Sequence, residues 1–283
     1  MAPQPAREPP APGLGAYGLR LAGVEGADEL LVPAEPTWPE LRIRTRIGRP
    51  TIEAEHVDAD EARINLRNGG GIRIQRRRGL ADFTVPQPLT PQELVHPYLA
   101  PVAAVMAYWL GRGSFHAGAF DLDGHAIALL AEREGGKSST LARLAVSGRP
   151  VICDDMLILE EGETFAGPRS LDLRRETAVV LGIGTHLGRV GARERWRFVL
   201  DSVRPRLPLR AWVFLAWGDR LEAERVPPRE TLRRLFGSLG VRLQPAPDAF
   251  LELASLPAWE VRRPPGLEGL DEAAECVLAT VAA

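Results

Sequence analysis

Two kinds of hydrophobic spacing divide the chain. Over residues 41–47 apolar side chains alternate with arginine (Leu-Arg-Ile-Arg-Thr-Arg-Ile), as in a strand with one wet face. Ile64, Leu66, Ile72 and Ile74 continue the alternation on either side of Asn68-Gly69-Gly70-Gly71, which predicts a hairpin with a four-residue loop. Residues 15–88 are therefore expected to form a β-rich region. Ahead of it, residues 1–14 are rich in Pro and Ala, lack any periodicity that could build a core, and are expected to be a disordered tail. Pro91, Pro97 and Pro101 then frame two short helical segments. Residues 115–122 and 125–131 predict a second hairpin about Asp123-Gly124. Leu141, Leu144 and Ala145 take helical spacing, and residues 151–153 and 156–159 are apolar on either side of Asp154-Asp155. A turn and short strand follow over 165–174. Residues 209–217 are the clearest buried strand of the second half, succeeded by helices over 231–239 and 247–256, a strand over 259–262 and an amphipathic helix over 267–282. The expected class is α/β (α+β), with residues 89–283 forming a domain built on a mixed sheet.

Composition narrows the function classes. The 283 residues are 45% hydrophobic and 25% charged, an ordinary globular mixture, and the net charge of −2 gives no argument for nucleic-acid binding. Cys153 and Cys276 fit neither a disulfide framework nor a zinc site, and none of His56, His96, His125 and His186 has a ligand partner at metal spacing. The amino terminus has no apolar secretory core. The longest apolar run, residues 98–110, is interrupted by Pro101 and falls short of the ~20 residues a membrane span needs. A reducing, cytoplasmic setting without membrane or nucleic-acid partners is expected. Arg42, Arg44, Arg46, Arg67 and Arg73, continuing into Arg76-Arg77-Arg78, line the wet face of the first region, either as a solvated surface or as a dock for an acidic peptide.

The chemistry concentrates at residues 131–139, Ala-Glu-Arg-Glu-Gly-Gly-Lys-Ser-Ser. Of the 35 basic residues, Lys137 alone is lysine, and it stands between a glycine pair and a hydroxyl pair, after an apolar strand and before a helix. In that setting backbone N–H groups and a helix N-terminus can cradle phosphate oxygens. The lysine supplies a compact charge near the β- and γ-phosphates, and the hydroxyl after it binds magnesium. The phosphate-loop pattern asks for glycine at the position of Ala131, where a left-handed backbone would be strained. Glu132 and Glu134 add negative charge that Arg133 partly offsets. Asp154-Asp155, adjacent carboxylates within an apolar run, need a cation or donors to be satisfied there.

Taken together, FHAGAFDLDGHAIALL, AEREGGKSST, LARLAVSG and RPVICDDMLIL resemble the HPr serine kinase family and its PEP-carboxykinase-like relatives. PRSLDLR, LPLRAWVFLAWGDR and LPAWEVRRPP are similar to the later part of HPr-kinase-like proteins from modified-peptide gene clusters, so the likeness spans about 105–282. Two features are missing: a regulatory domain like that of the sugar-transport kinases, and their glycine-rich signature after the aspartates. The resemblance implies a P-loop domain using ATP and Mg2+ to phosphorylate a serine hydroxyl of a peptide or protein, such as a ribosomally made precursor, in a chain that can form homo-oligomers. It places residues 131–139 around the nucleotide and Lys137 on the transferring group. Asp154 would be the base, with Ser138 and Asp155 on the metal, or the two aspartates exchanged. His116 would orient one of them or the acceptor, and an arginine of the 193–197 stretch, Arg195 first among them, would reach the γ-phosphate. A non-catalytic ATP-binding accessory protein and a kinase of a small hydroxyl compound such as free serine are the alternatives.

Overall fold

The computed structural model describes residues 13–50, 52, 54–191, 193–241 and 247–282, so residues 1–12 of the expected tail lie outside it. The fold is mixed α/β. Its first sheet contains β1 (Leu14–Ala16), β2 (Leu19–Ala22), β3 (Val32–Pro33), β4 (Glu40–Ile47), β5 (His56–Val57), β6 (Glu61–Asn65), β7 (Gly71–Gln75) and β8 (Leu80–Val85), in the order β3-β1-β2-β4-β8-β7-β6-β5. The alternation over 41–47 holds only where the strand is covered. Leu41 and Ile43 are buried, whereas Ile47, at the strand end, is 70% exposed. The hairpin loop is longer than expected: Asn65 pairs with Gly71, and Leu66 turns inside a loop over 66–70, its N–H donating to the Gly70 carbonyl. Much of the arginine face is used internally. Arg42 pairs with Glu40, Arg73 with Glu61 and Arg77 with Asp60, and Arg76 donates to the Trp109 carbonyl.

Two helices lead onward, α1 (Pro91–Val95) and α2 (Leu99–Trp109). A capping box between Thr90 and Glu93 starts α1, with Pro91 where a missing N–H costs nothing. Helix α2 is apolar on nearly every side and correspondingly buried, in one core with both larger sheets.

Next come β9 (Gly113–Phe115), β10 (Ala117–Leu122), β11 (His125–Ala131), α3 (Lys137–Val146), β12 (Val151–Cys153), β13 (Leu157–Glu160) and β14 (Glu163–Phe165). A small antiparallel sheet follows, β15 (Ser170–Leu173), α4 (Arg175–Leu181), β16 (Thr185–Val190) and β17 (Arg193–Val199), with β17 in the middle. The chain ends with β18 (Arg206–Trp217), β19 (Glu222–Arg225), α5 (Pro228–Gly237), α6 (Pro247–Ser255), β20 (Ala258–Arg263) and α7 (Leu270–Ala282). The central sheet runs β12-β10-β11-β18-β14-β13-β9, with β20 on β18 and β19 on β20. The single strand expected over 115–122 is broken at His116. Up to there the chain pairs with β13, and beyond it with β11 and β12.

The unbroken apolar run of β11 follows from coverage on both faces. Ala126, Ala128 and Leu130 enter the core shared with the first sheet and α2, while Ile127 and Leu129 enter a second core under α3 and α7. Strand β18 divides the same way, Trp212 and Phe214 to one side, Ala211, Val213 and Leu215 to the other. No helix among the described residues is long and apolar enough to cross a membrane.

Trp212 anchors the first core. It is fully buried, meets Phe115 edge-on at 5.4 Å and donates its indole N–H to the Leu253 carbonyl at 2.9 Å. Trp212→Ala is expected to cost about 3–5 kcal/mol in urea unfolding; a loss below ~1 kcal/mol would mean that the core closes over the gap.

Candidate functional site

The direction of the strands decides where chemistry can gather. Strand β11 is parallel to β18, and β18 to β20; β12 and β11 are each antiparallel to β10 and so run the same way. Four carboxyl ends therefore open along one edge, the usual ligand side of such sheets. Ala131, Cys153, Trp217 and Arg263 end these strands, and the loop 132–136 rises from the first of them.

That loop is held by few contacts of its own. The Gly135 N–H donates to the Glu132 carbonyl, and α3 starts at Gly136 with no side-chain cap. Among the described residues no acceptor meets the backbone N–H groups of Glu134, Gly136, Lys137, Ser138 or Ser139. Five free donors around a helix start can together take up an anion, reinforced by the helix dipole. The strain expected at Ala131 is absent, because Ala131 ends β11 in extended form, paired with Leu215. Left-handed angles fall instead on Glu134 (φ 68°) and Gly136 (φ 86°). Gly135 makes room for the Ala131 methyl: a Cβ there would lie 2.9 Å from Ala131 Cβ and 2.9 Å from the Glu132 carbonyl. Glu132, Arg133 and Glu134 are exposed, with Glu134 paired to Arg174. The Ser139 hydroxyl is turned away to Thr177 on α4, at 2.9 Å, so only its N–H remains available to the loop.

Lys137, 7% exposed, folds its ammonium onto Asp154 and lies 3.6 Å from Asp155. Burial pulls the ammonium down, but Asp154 and Asp155 outweigh it and hold it above its ordinary value. Asp154, 2% exposed, also accepts the Ser138 hydroxyl at 2.7 Å and the Asp155 N–H at 2.8 Å. The aspartates sit in a break between β12 and β13, not along a strand. The Met156 N–H donates back to the Asp154 carbonyl, and Asp155 takes a left-handed φ of 65°, which Asp tolerates better than most residues. This turn separates the two acids, burying Asp154 with lysine and serine and leaving the Asp155 side chain 36% exposed. Burial would raise the Asp155 carboxyl, but Lys137 first, then His96, His116 and Arg195, hold it at about 2. Asp154 and Ser138 thus give two hard oxygens side by side, suited to a small divalent cation that completes its shell with water and phosphate. Among the described residues no three His, Cys, Asp or Glu side chains converge as a metal site of their own.

His116 stands at the break between β9 and β10, its ring Nδ1 2.8 Å from the Asp155 carbonyl oxygen. It holds the turn through the backbone, leaving Nε2 for other partners. Arg195 is not a free arm. It donates to Asp172 and to the Val190 carbonyl, both at 3.2 Å, and reaches Asp155 only through its field. Arg193, two residues earlier on the same face of β17, is exposed and has no acceptor among the described residues. Partial burial and the charges of Arg195 and Arg174 push its guanidinium down, while Asp155 pulls it up, so it lies within electrostatic reach of the acids.

One residue of the site comes from the opposite end of the chain. Tyr17 and Gly18 form the two-residue turn between β1 and β2, both with positive φ, as a type I′ turn requires. Tyr17 is 1% exposed. Its N–H donates to Ala166, and its hydroxyl approaches the Asp154 carbonyl at 3.4 Å. Burial, then Cys153, Asp155 and Asp154, push the phenol well above its ordinary value, so it remains a donor. The only trace of this in the sequence is a Tyr-Gly pair in a short turn, far from any motif. Cys153 beneath the acids is buried and pushed up to about 12, which leaves it inert as a nucleophile.

No family model matches the chain, and no curated protein matches it. A solved structure that is similar is that of the Hpr(Ser) kinase/phosphatase from Coxiella burnetii, 12% identical, covering 59% of this chain and 95% of that one, with a TM-score of 0.29. At that level the likeness carries no argument about chemistry, which rests on the residues above.

The folded pKa of Asp155 lies below its unfolded value near 3.9, so its contribution to stability is complete above about pH 4 and fades as pH falls toward 2. Lys137→Met removes the charge that holds it there and leaves the buried Asp154 carboxylate without its counter-charge. The variant is expected to lose about 3–5 kcal/mol at pH 7, with a smaller deficit at pH 4.5, where Asp155, no longer held down, takes up protons. Equal deficits in urea titrations at the two pH values would contradict this electrostatic account.

Proposed function

We propose that the chain is a kinase that transfers the γ-phosphoryl group of ATP to a serine hydroxyl of a peptide or protein. The observation that carries this is the run of unpaired N–H donors around Gly136 and Lys137, next to two aspartates in different surroundings. The β- and γ-phosphates would lie on these donors with Lys137 beside them. Ser138 and Asp154 would hold Mg2+, which supplies charge neutralisation at the phosphates. Of the two assignments open for the aspartates, the exchanged one fits better. Asp154 is buried against Ser138, while Asp155 faces outward. Held at about 2, Asp155 stays ionised at any physiological pH, so it can orient the serine hydroxyl and take its proton late. In a loose phosphoryl-transfer transition state most of the work is such positioning and charge stabilisation. Arg193 is the free cation for the γ-phosphate, and His116 positions Asp155.

A non-catalytic nucleotide-binding protein is the second reading, motivated by Glu132 and Glu134 beside the phosphates. The pairing of Glu134 with Arg174 weakens it.

The test is incubation with Mg·ATP and serine-containing peptides or free serine, scored by mass for one added phosphate. Asp155→Asn and Lys137→Ala are each expected to slow transfer by about 100-fold or more. ATP binding without transfer to any acceptor would select the second reading, and undiminished transfer by Asp155→Asn would remove Asp155 from its role.

A further inference from the structure

On the side of the loop away from the aspartates stands a cation with no counter-ion among the described residues. Arg263 ends β20 and is 5% exposed, and its guanidinium lies over the Trp217 ring at 4.4 Å from the centroid. Its Nη1 donates to the carbonyls of Pro264 (3.3 Å) and Gly266 (2.7 Å); Nε and Nη2 have no acceptor among the described residues. No carboxylate pairs with it there. Arg197, the other buried arginine among the described residues, is held by Asp172, whereas Arg263 has no carboxylate there. Burial pushes its guanidinium below its ordinary value with nothing to oppose the shift.

The lone charge is directed at the loop. Trp217 and Arg263 are register partners on β18 and β20 and so share a face, the one on which Leu215 pairs with Ala131. A Cβ added to Gly136 would lie 2.8 Å from Arg263 Nη2 and 3.2 Å from Trp217 Cη2. A largely enclosed guanidinium without a carboxylate, beside the positive end of α3, favours an anion there. Its planar fork suits phosphate oxygens. The strand order gives the site a polarity. The aspartates follow β12 on one side of β11, and Arg263 and Trp217 follow β18 and β20 on the other. A polyphosphate with its reacting end at Asp155 therefore has its other end at Arg263.

Resting on the nucleotide reading of the loop, we propose that Arg263 binds the nucleoside-proximal phosphate of a nucleoside triphosphate, with Trp217, 41% exposed, bordering the nucleoside. Gly136 is glycine at this point both for its left-handed angle and because a side chain would separate the guanidinium from the phosphate.

Calorimetric titration with Mg·ATP and with magnesium pyrophosphate tests this. Pyrophosphate fills only the Lys137 end. Arg263→Gln is expected to weaken ATP about tenfold or more, the scale of one charged hydrogen bond, while changing pyrophosphate affinity by less than about twofold. Retained pyrophosphate binding also shows that the variant is folded, and Arg263→Lys is expected to recover part of the ATP affinity. Unchanged ATP binding in Arg263→Gln, or equal weakening of both ligands, would overturn the assignment while leaving the nucleotide reading intact. Wild-type protein that binds neither ligand would overturn that reading, and this assignment with it.

Discussion

A buried ammonium cannot stand alone, and much of the site's geometry answers that requirement at Lys137. Asp154 supplies the counter-charge but is itself almost fully enclosed, so its remaining lone pairs take the Ser138 hydroxyl and the Asp155 N–H. That last bond needs the tight, left-handed turn at Asp155, which aims the second carboxylate outward. The ion pair is thereby tied to the local backbone, through His116 to the start of β10 and through Tyr17 to the first sheet. Such a cluster is weak evidence for stability, since well-packed apolar residues often do as well. Its value lies in fixing which acid is buried and which is presented.

The charges divide into committed and free. Asp172 binds Arg195 and Arg197, and Glu134 binds Arg174, so these arginines serve the architecture first. Arg193 and Arg263 have no carboxylate partner among the described residues, and they lie on different sheets that converge on the loop. Under the proposed function one meets the reacting end of the polyphosphate and the other its opposite end. The loop between them then needs little side-chain chemistry of its own.

What could be read from the sequence follows from how local each signal is. The strand, loop and helix around Lys137 were legible because strong periodicities meet at a glycine pair. The same holds for β18, whose residues are covered on both faces. The break at His116 was not, since Ser-Phe-His-Ala-Gly-Ala alternates acceptably as one strand and only pairing with β13 divides it. The expectation at Ala131 went wrong by placing the demanding backbone angle at the strand exit, when the structure puts it at Glu134 and Gly136. Tyr17 and Arg263 left no readable signal, because a residue's approach to a site more than a hundred positions away is set by sheet order. The choice between Arg193 and Arg195 was equally out of reach, since it turns on which of them meets Asp172.

The Tyr17 turn bears on how the molecule assembles during synthesis. The β1–β2 turn carries a residue whose partner at Asp154 comes 137 positions later. The parallel neighbours of β11 come later still, with β20 complete only at Arg263. Contacts of such long range close slowly, and an incomplete sheet leaves apolar edges open meanwhile. The anion cradle can thus form early from β11 and α3 as a local unit, while its front and back walls wait for nearly the whole chain. Under the proposed function, nascent chains would carry an exposed phosphate loop well before they carry an ordered pair of acids, and that order of events would separate ligand capture from catalytic competence in time.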